Sequence, residues 1–450
     1  MVFLYLFYKN RKMKKILIVL IFSPTIIWAQ MNAIAFEEYD LANGLHVILH
    51  EDHSTPIVAV SVSYHVGSKN EDPSRTGFAH FFEHLLFEGS ENIGRGEYMK
   101  LIQENGGVLN ANTSFDRTFY FEILPSNQLE LGLWMESERM LHAKIDKIGV
   151  DTQREIVKEE LRERNENTPY GSILNEVFAH AFETHPYQWT PGGSPEYINQ
   201  ANLSEFMEFY KTFYIPNNAC ISIAGDINPD QAKEWIAKYF SAIPKGTHTV
   251  PRPNVVEPEK FAEVRDTVYD NIQLPAVVQA YHGPAQGTED AYAVEMMSMI
   301  LSQGNSSRLQ KNVVDKQQKA VYAGAFPMPT EDPGLLLMFG IANMGTQVLD
   351  LEKSMNEEVE KMTQELISTE EFEKLRNQIE NDFISSKTSM AGIAESLSDY
   401  YLYYNGETSL VNTELERYFK VTREDILAVA KKYLRSENRV TLHYLPKTVN

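Results

Sequence analysis

His80-Phe81-Phe82-Glu83-His84 puts two imidazoles and one carboxylate within five residues. In a helix, residues four apart lie one above the other, so His80 and His84 can face a single metal ion. Glu83, three residues after His80, stands beside that ion without having to bind it. The order H-x-x-E-H inverts the H-E-x-x-H zinc signature. The residue types suit the task. Neutral imidazoles are good zinc donors, and an unligated carboxylate can take a proton from zinc-activated water.

Phe78, Ala79, Phe81, Phe82, Leu85, Leu86 and Phe87 surround the motif. The helix carrying it, at about 77–88, is therefore apolar on nearly every side and reads as buried. A lone core histidine is ordinarily just hydrogen-bonded. Two histidines and a glutamate in one apolar helix are costly to desolvate unless something binds them.

A catalytic zinc needs a third protein ligand and an open fourth position. Cys220 is the only cysteine, so that ligand must be a histidine or a carboxylate. Projected at about 100° per residue, Ile156, Val157 and Leu161 define the inward arc of a helix over 151–162. Glu160 falls inside that arc, and Glu159 and Glu163 fall outside it. An acid on an inward face needs a counter-charge, which a metal would supply; an arginine at the core edge is the alternative.

The elements that must position these residues form two halves. The first is expected to open with a hairpin of Leu45–His50 and Ile57–Val66, after a turn at Asn43-Gly44. Past the motif come a helix near 96–105 closed by Gly106-Gly107, then β-rich runs at Val108–Thr113 and Thr118–Leu124. Helices are expected at 126–143, 147–165, 170–182 and 203–213, a buried strand at 218–225 and a closing helix at 229–240. The proline-rich stretch Pro244–Pro258 reads as a linker.

The plan then repeats. Strands at 261–270 and 275–281 precede a helix at 288–302, more helix through Ser306–Asp315, and strands near 320–327 and 334–341. Long helices fill 347–404, and helix 422–434 leads to the strand Arg439–Tyr444, like the 218–240 pair in reversed order. Only the first copy carries the metal residues. The expected domains are a signal peptide at 1–30, a zinc-binding domain at 31–244, a linker at 245–260 and a homologous domain without the motif at 261–450.

Met13-Lys14-Lys15, the apolar run Ile16–Ile27 and Trp28-Ala29-Gln30 have the form of a secretory signal cleaved near Ala29. Pro24 interrupts an apolar run already short for a bilayer, so no stable membrane anchor is expected. Removing the five cations of this segment from 41 leaves 36 against 62 acids, a formal charge of −26. That balance argues against nucleic acid as a partner. One cysteine also leaves an exported chain without an internal disulfide.

Together these residues resemble the pitrilysin/insulinase-type (inverzincin) zinc metallopeptidases, in the half-size branch that includes mitochondrial processing peptidase. In that family the ligand glutamate follows the second motif histidine by about 76 or 77 residues, and Glu160 is 76 after His84. Gly106-Gly107-Val108-Leu109-Asn110-Ala111-Asn112-Thr113, with Asp116, Thr118 and Tyr120, is similar to the family's edge strand, which pairs with an extended substrate. Ser307-Arg308-Leu309 matches a further family segment. The resemblance covers about residues 36–445.

The resemblance implies an α+β fold of two similar α/β-sandwich halves, each an antiparallel-rich sheet packed by helices, forming a clam-like cavity. It implies one Zn2+ per chain on His80, His84 and Glu160, with Glu83 as general base and Asn110 and Ala111 binding the peptide. The implied activity is an endopeptidase acting on peptides or unfolded polypeptides, and the signal segment adds export, to the periplasm, as the expected location. Two positions depart from the family. A glutamate expected seven residues before Glu160 is Gln153, and an arginine of a substrate-clamping Arg/Tyr pair is Val314, with Tyr322 matching the tyrosine. These departures raise the expectation of a homodimer, or of a heterodimer whose partner lacks the zinc motif. A non-proteolytic structural or binding subunit is the rival reading.

Overall fold

Alternating and continuous apolar runs build two sheets in this computed structural model, which describes residues 33–447. The expected signal peptide lies outside them. Strands β1 (Glu37–Asp40), β2 (His46–Glu51) and β3 (Ile57–Tyr64) lead into helices α1 (Phe78–Leu85) and α2 (Glu97–Glu104). Strands β4 (Val108–Thr113) and β5 (Thr118–Pro125) follow, then α3 (Leu129–Leu141), α4 (Lys147–Arg162) and α5 (Ile173–Ala181). Helices α6 (Pro195–Gln200) and α7 (Leu203–Phe213), strand β6 (Ala219–Gly225) and α8 (Pro229–Phe240) complete the first half. Residues 241–263 carry neither helix nor strand.

The second half starts with β7 (Val264–Asp270), β8 (Ala276–His282) and α9 (Glu289–Ser302). A π-helical turn at Gln310–Lys316 precedes β9 (Ala320–Met328) and β10 (Leu335–Ala342). Helices α10 (Val348–Gln364), α11 (Thr369–Ser385), α12 (Met390–Tyr403), α13 (Leu410–Lys420) and α14 (Arg423–Tyr433) then lead to β11 (Arg439–Pro446). The first sheet runs β1-β2-β6-β3-β5-β4 and the second β7-β11-β8-β10-β9. Each has one parallel pair, β2 with β6 and β7 with β11, and is otherwise antiparallel.

Two expectations are corrected here. Residues 45–50 and 57–66 form no hairpin, because β6 lies between β2 and β3. Ala-Cys-Ile-Ser-Ile-Ala-Gly is buried at every position, so it takes the centre of the sheet. β2 turns back on β1 instead, through Asn43 and Gly44, whose φ is 88°. The closing pair of the second half is also not reversed. Helix α7, a 3-10 turn at Pro216–Asn218 and β6 are matched in order by α14, a 3-10 turn at Ser436–Asn438 and β11. Asn218 Nδ2 donates to Phe213 O at 2.8 Å, and Asn438 Nδ2 donates to Tyr433 O at 2.8 Å.

Each half covers a face of the other's sheet. Helix α5 packs on β8 and β11, where Val177, Phe178 and Ala181 join Val278, Leu337 and Leu442 in one core. Helix α12 packs on β3 and β6, where Ile393 and Leu397 meet Ala59 and Ala224. At roughly 1.5–3 kcal/mol for each large apolar side chain buried, this exchange outweighs any surface ion pair. A buried polar tie reinforces it. Lys69 of the first half reaches Asp116 at 3.1 Å and, on the β9–β10 connection, Glu331 at 2.5 Å and Asp332 at 3.1 Å.

Candidate metal centre

The eight residues of α1 are too few for a helix to stand alone, so its setting comes from its neighbours. Gly77 at its N-cap has φ 98° and no side chain to offer, and a Cβ there would stand 2.9 Å from Gly192 O. Glu71 caps in its place, accepting the N–H of Gly77 at 2.9 Å and of Ala79 at 2.8 Å. Burial pushes the Glu71 carboxyl up to about 8, against the pull of those donors. At the other end the Tyr120 hydroxyl donates to Phe82 O, and Arg139 Nη1 donates to Leu86 O, both at 2.9 Å. A cation there complements the helix dipole. Arg139 is itself buried among the rings of Phe87, Tyr98 and Tyr120 and pairs with Glu136 at 3.0 Å.

Phe78, Phe81 and Phe82 stack on Phe206 and Phe209 of α7, which fixes the rotation of α1 and leaves its histidines toward α4. Asp146 caps α4 by accepting from Gly149 N at 2.8 Å. Val150, Val157 and Leu161 form the buried stripe of α4. Ile156 does not join them. It is 46% exposed, because the partners of α4 cover a narrower arc than the apolar projection implies. Glu160 stays on the inward side.

The structure brings together the three expected ligand side chains. His80 Nε2 lies 3.5 Å from Glu160 Oε1, and His84 Nε2 lies 3.0 Å from Glu160 Oε2. One donor atom from each of the three falls within 4.8 Å of the others, the one such group of at least three potential ligands among the described residues. Donors around a tetrahedral zinc at 2.0–2.1 Å lie about 3.3 Å apart. The two observed separations, each to a different oxygen of Glu160, lie on either side of that figure, and two imidazoles with one carboxylate are a donor set that zinc accepts, so the residues fit the ion. Hydrogen bonding from His80 and then His84 holds the Glu160 carboxyl well below the usual carboxylate range, despite partial burial. His80 is buried while His84 and Glu160 are partly open, so the cluster faces solvent on one side. Arg164 Nη1 stands 3.8 Å from Glu160 Oε1.

Glu83 is half-buried and accepts a hydrogen bond on Oε2 from Thr113 Oγ1 at 2.7 Å. Asn110 and Ala111 lie on β4, the edge strand of the first sheet, beside α1. Tyr322 lies on β9, the edge of the second sheet, with its ring against Phe339. Among the described residues no hydrogen bond or ring contact links it to the cluster. Val314 packs against the second core, and Arg308 is bound by Glu371 at 3.1 Å. Gln153 Nε2 donates to Glu88 Oε1 at 2.6 Å, so a carboxylate stands beside the position where the family pattern carries one. The sequence reading passed over Glu71, Glu88 and Arg139, and gave Thr113 no role of its own within the edge-strand segment. Only Thr113 had a local signal, since it shares the period-two face of Ala111.

The sequence matches the family described as "Insulinase (Peptidase family M16)" over residues 46–190 and "Peptidase M16 inactive domain" over residues 200–379. It is 31% identical to "Zinc protease PqqE" of Helicobacter pylori over 91% of this chain and 93% of that protein. It is 24% identical to "Probable mitochondrial-processing peptidase subunit beta, mitochondrial" of Arabidopsis thaliana, over 88% of this chain and 75% of that one. The crystal structure of a protease from Helicobacter pylori superposes with a TM-score of 0.87 at 29% identity, covering 92% of this chain and all of that one. The periplasmic protease PqqL of Escherichia coli shares the fold at a TM-score of 0.75 and 18% identity. That match covers 91% of this chain but only 47% of PqqL. The chain belongs to the M16 (insulinase/pitrilysin) peptidase family, in the half-size branch that includes mitochondrial-processing peptidase.

Proposed function

We propose that this chain is an exported, periplasmic zinc endopeptidase that hydrolyses peptides or unfolded polypeptides, with one Zn2+ held by His80, His84 and Glu160. The observation that carries this reading is the convergence of those three donors within 4.8 Å of one another, on helices that also carry Glu83 one residue before His84. Bound there, zinc would polarise the scissile carbonyl and acidify a water molecule. The protein's own residues do the rest. Glu160 is ionised before any cation arrives, because the facing imidazoles lower its pKa. Glu83 has Oε2 fixed by Thr113, which leaves Oε1 to take the water proton and pass it to the leaving amine. The open edge of β4, with Asn110 and Ala111, binds the extended peptide by strand addition.

The domain limits given above, cleavage near Ala29 and a dimeric assembly belong to the same reading. Among the described residues Tyr322 has no link to the cluster in its own chain, and PqqL has about twice the length matched here. Both favour a second copy, or a homologous chain without the motif, as the source of further substrate contacts. The test is turnover of a quenched fluorescent peptide library by the purified zinc-loaded chain, with and without a chelator. Chelator-sensitive cleavage supports the reading. No cleavage by the zinc-loaded chain, alone or mixed with such a homologue, would sink it. Gln153 and Val314 favour a second reading, a subunit that keeps the fold without proteolysis; such a chain should purify free of zinc.

A further inference from the structure

Strand β4 has a two-sided character. Its side chains alternate exposed and half-buried from Val108 to Thr113, with Leu109, Ala111 and Thr113 on the half-buried side. Its main chain alternates as well. Ser114 N donates to Arg117 O at 2.8 Å, closing the turn to β5. Even-numbered positions therefore bond across to β5, while the N–H and C=O of Leu109, Ala111 and Thr113 point to the free edge. The Ala111 N–H agrees with this phase, since it is donated to Asn110 Oδ1 at 2.9 Å and not to β5. The three residues whose main chain can take an added strand are thus also those whose side chains lie on the half-buried face of β4. The last of them is Thr113, whose hydroxyl reaches Glu83 at 2.7 Å.

We propose that Thr113 is a positioning residue that couples docking of an extended peptide on β4 to the setting of Glu83. This rests on the peptidase reading above. Its main chain lies in the register an added strand would occupy, so pairing immobilises the residue whose Oγ1 fixes Glu83 Oε2. Arg117 steadies the same strand end from outside, donating to Asn112 Oδ1 at 3.1 Å and to Glu395 of α12 at 2.8 Å. A carboxylate held on one oxygen presents the other in one direction, which is what a general base needs for proton abstraction.

Thr113→Val keeps the β-branched shape and removes the hydroxyl, and Thr113→Ser keeps the hydroxyl. Thr113→Val should lower kcat by about 10- to 100-fold while KM and zinc affinity stay within about twofold of the unmutated chain. Thr113→Ser should recover kcat to within about threefold. In crystals of the zinc-loaded chain, Glu83 should leave its place in Thr113→Val and keep it in Thr113→Ser. Unchanged kcat in Thr113→Val, a loss confined to KM or to zinc affinity, no recovery in Thr113→Ser, or an unmoved Glu83 in Thr113→Val would each overturn the proposal. Failure of the unmutated chain to cleave any peptide would sink the peptidase reading instead. The position of Glu83 in the crystals is read without turnover and still decides the role of Thr113.

Discussion

Helices α1 and α4 in the first half correspond in topology to α9 and α11 in the second. Each first helix follows the strand that pairs with the sheet's closing strand, β3 beside β6 or β8 beside β11, and packs beside the edge strand, β4 or β9. In the first half the contact between the helices carries His80, His84 and Glu160. In the second, Met296, Ile300, Leu375 and Ile379 share an apolar core. The helices that follow, α3 and α10, each bury an acid with a cation three residues on, Glu136 with Arg139 and Glu358 with Lys361. Arg139 is fully buried and grips the end of α1, whereas Lys361 is 44% exposed and, among the described residues, pairs only with Glu358. One architecture therefore serves as a plain core in one copy and as a polar site in the other. The site needs extra buried holders, Glu71 and Arg139, for which the second half has no use.

The largest test of this contrast is to convert the first half to the second. His80→Met, His84→Leu and Glu160→Ile together should abolish zinc binding in a chelator competition and leave a folded chain. Urea unfolding of that metal-free variant should be about 1–2 kcal/mol more favourable to the native state, since a partly buried polar cluster is replaced by apolar contacts. Loss of folding would mean that the cluster supports the fold. Arg139→Met should cost about 3–5 kcal/mol, because it strands Glu136 and frees the end of α1. Lys361→Met should cost about 1 kcal/mol, since Asn312 still donates to Glu358 at 2.9 Å. Equal costs would erase the asymmetry between the halves.

Smaller effects sharpen how the halves are tied. Burial opposes ionisation of Glu331, but the His65 hydrogen bond and the Lys69 charge win and hold its carboxyl at about 2. A depressed carboxyl stabilises the fold above its ordinary value near 4.5, and that contribution fades as the pH falls toward 2. Glu331→Gln should therefore cost about 2 kcal/mol at neutral pH, a figure reduced for solvent screening, and should flatten the stability profile between pH 4.5 and 2. Least affected should be Gln153→Glu, which sets a carboxylate against Glu88 and replaces a 2.6 Å hydrogen bond with repulsion. We expect a loss of about 1 kcal/mol by thermal unfolding, with zinc still bound.

Local pattern explains which parts were legible in the sequence. The motif helix, the β-rich run at Val108–Thr113 and the inward arc of Glu160 follow from local pattern, whereas the edge position of that run and the 76-residue spacing to Glu160 come from the family resemblance. The sites of misreading are non-local. Nothing near residues 45–66 indicates that β6, more than 150 residues later, separates β2 from β3. The exchange of α5 and α12 between halves has no local signature, because an apolar helix face does not name the sheet that covers it. Ile156 looked inward because projection treats every apolar residue as core. Glu71 and Arg139 serve α1 from other segments, so a reading confined to the motif could not include them.

The central claim is that Glu83 acts as the base beside a zinc held by its neighbours and by Glu160. Its most direct test is Glu83→Gln, measured for zinc content and for peptide turnover on the same preparation. The account predicts one zinc per chain, as in the unmutated protein, with kcat lowered by at least about a hundredfold. Zinc retained with turnover unchanged would contradict it.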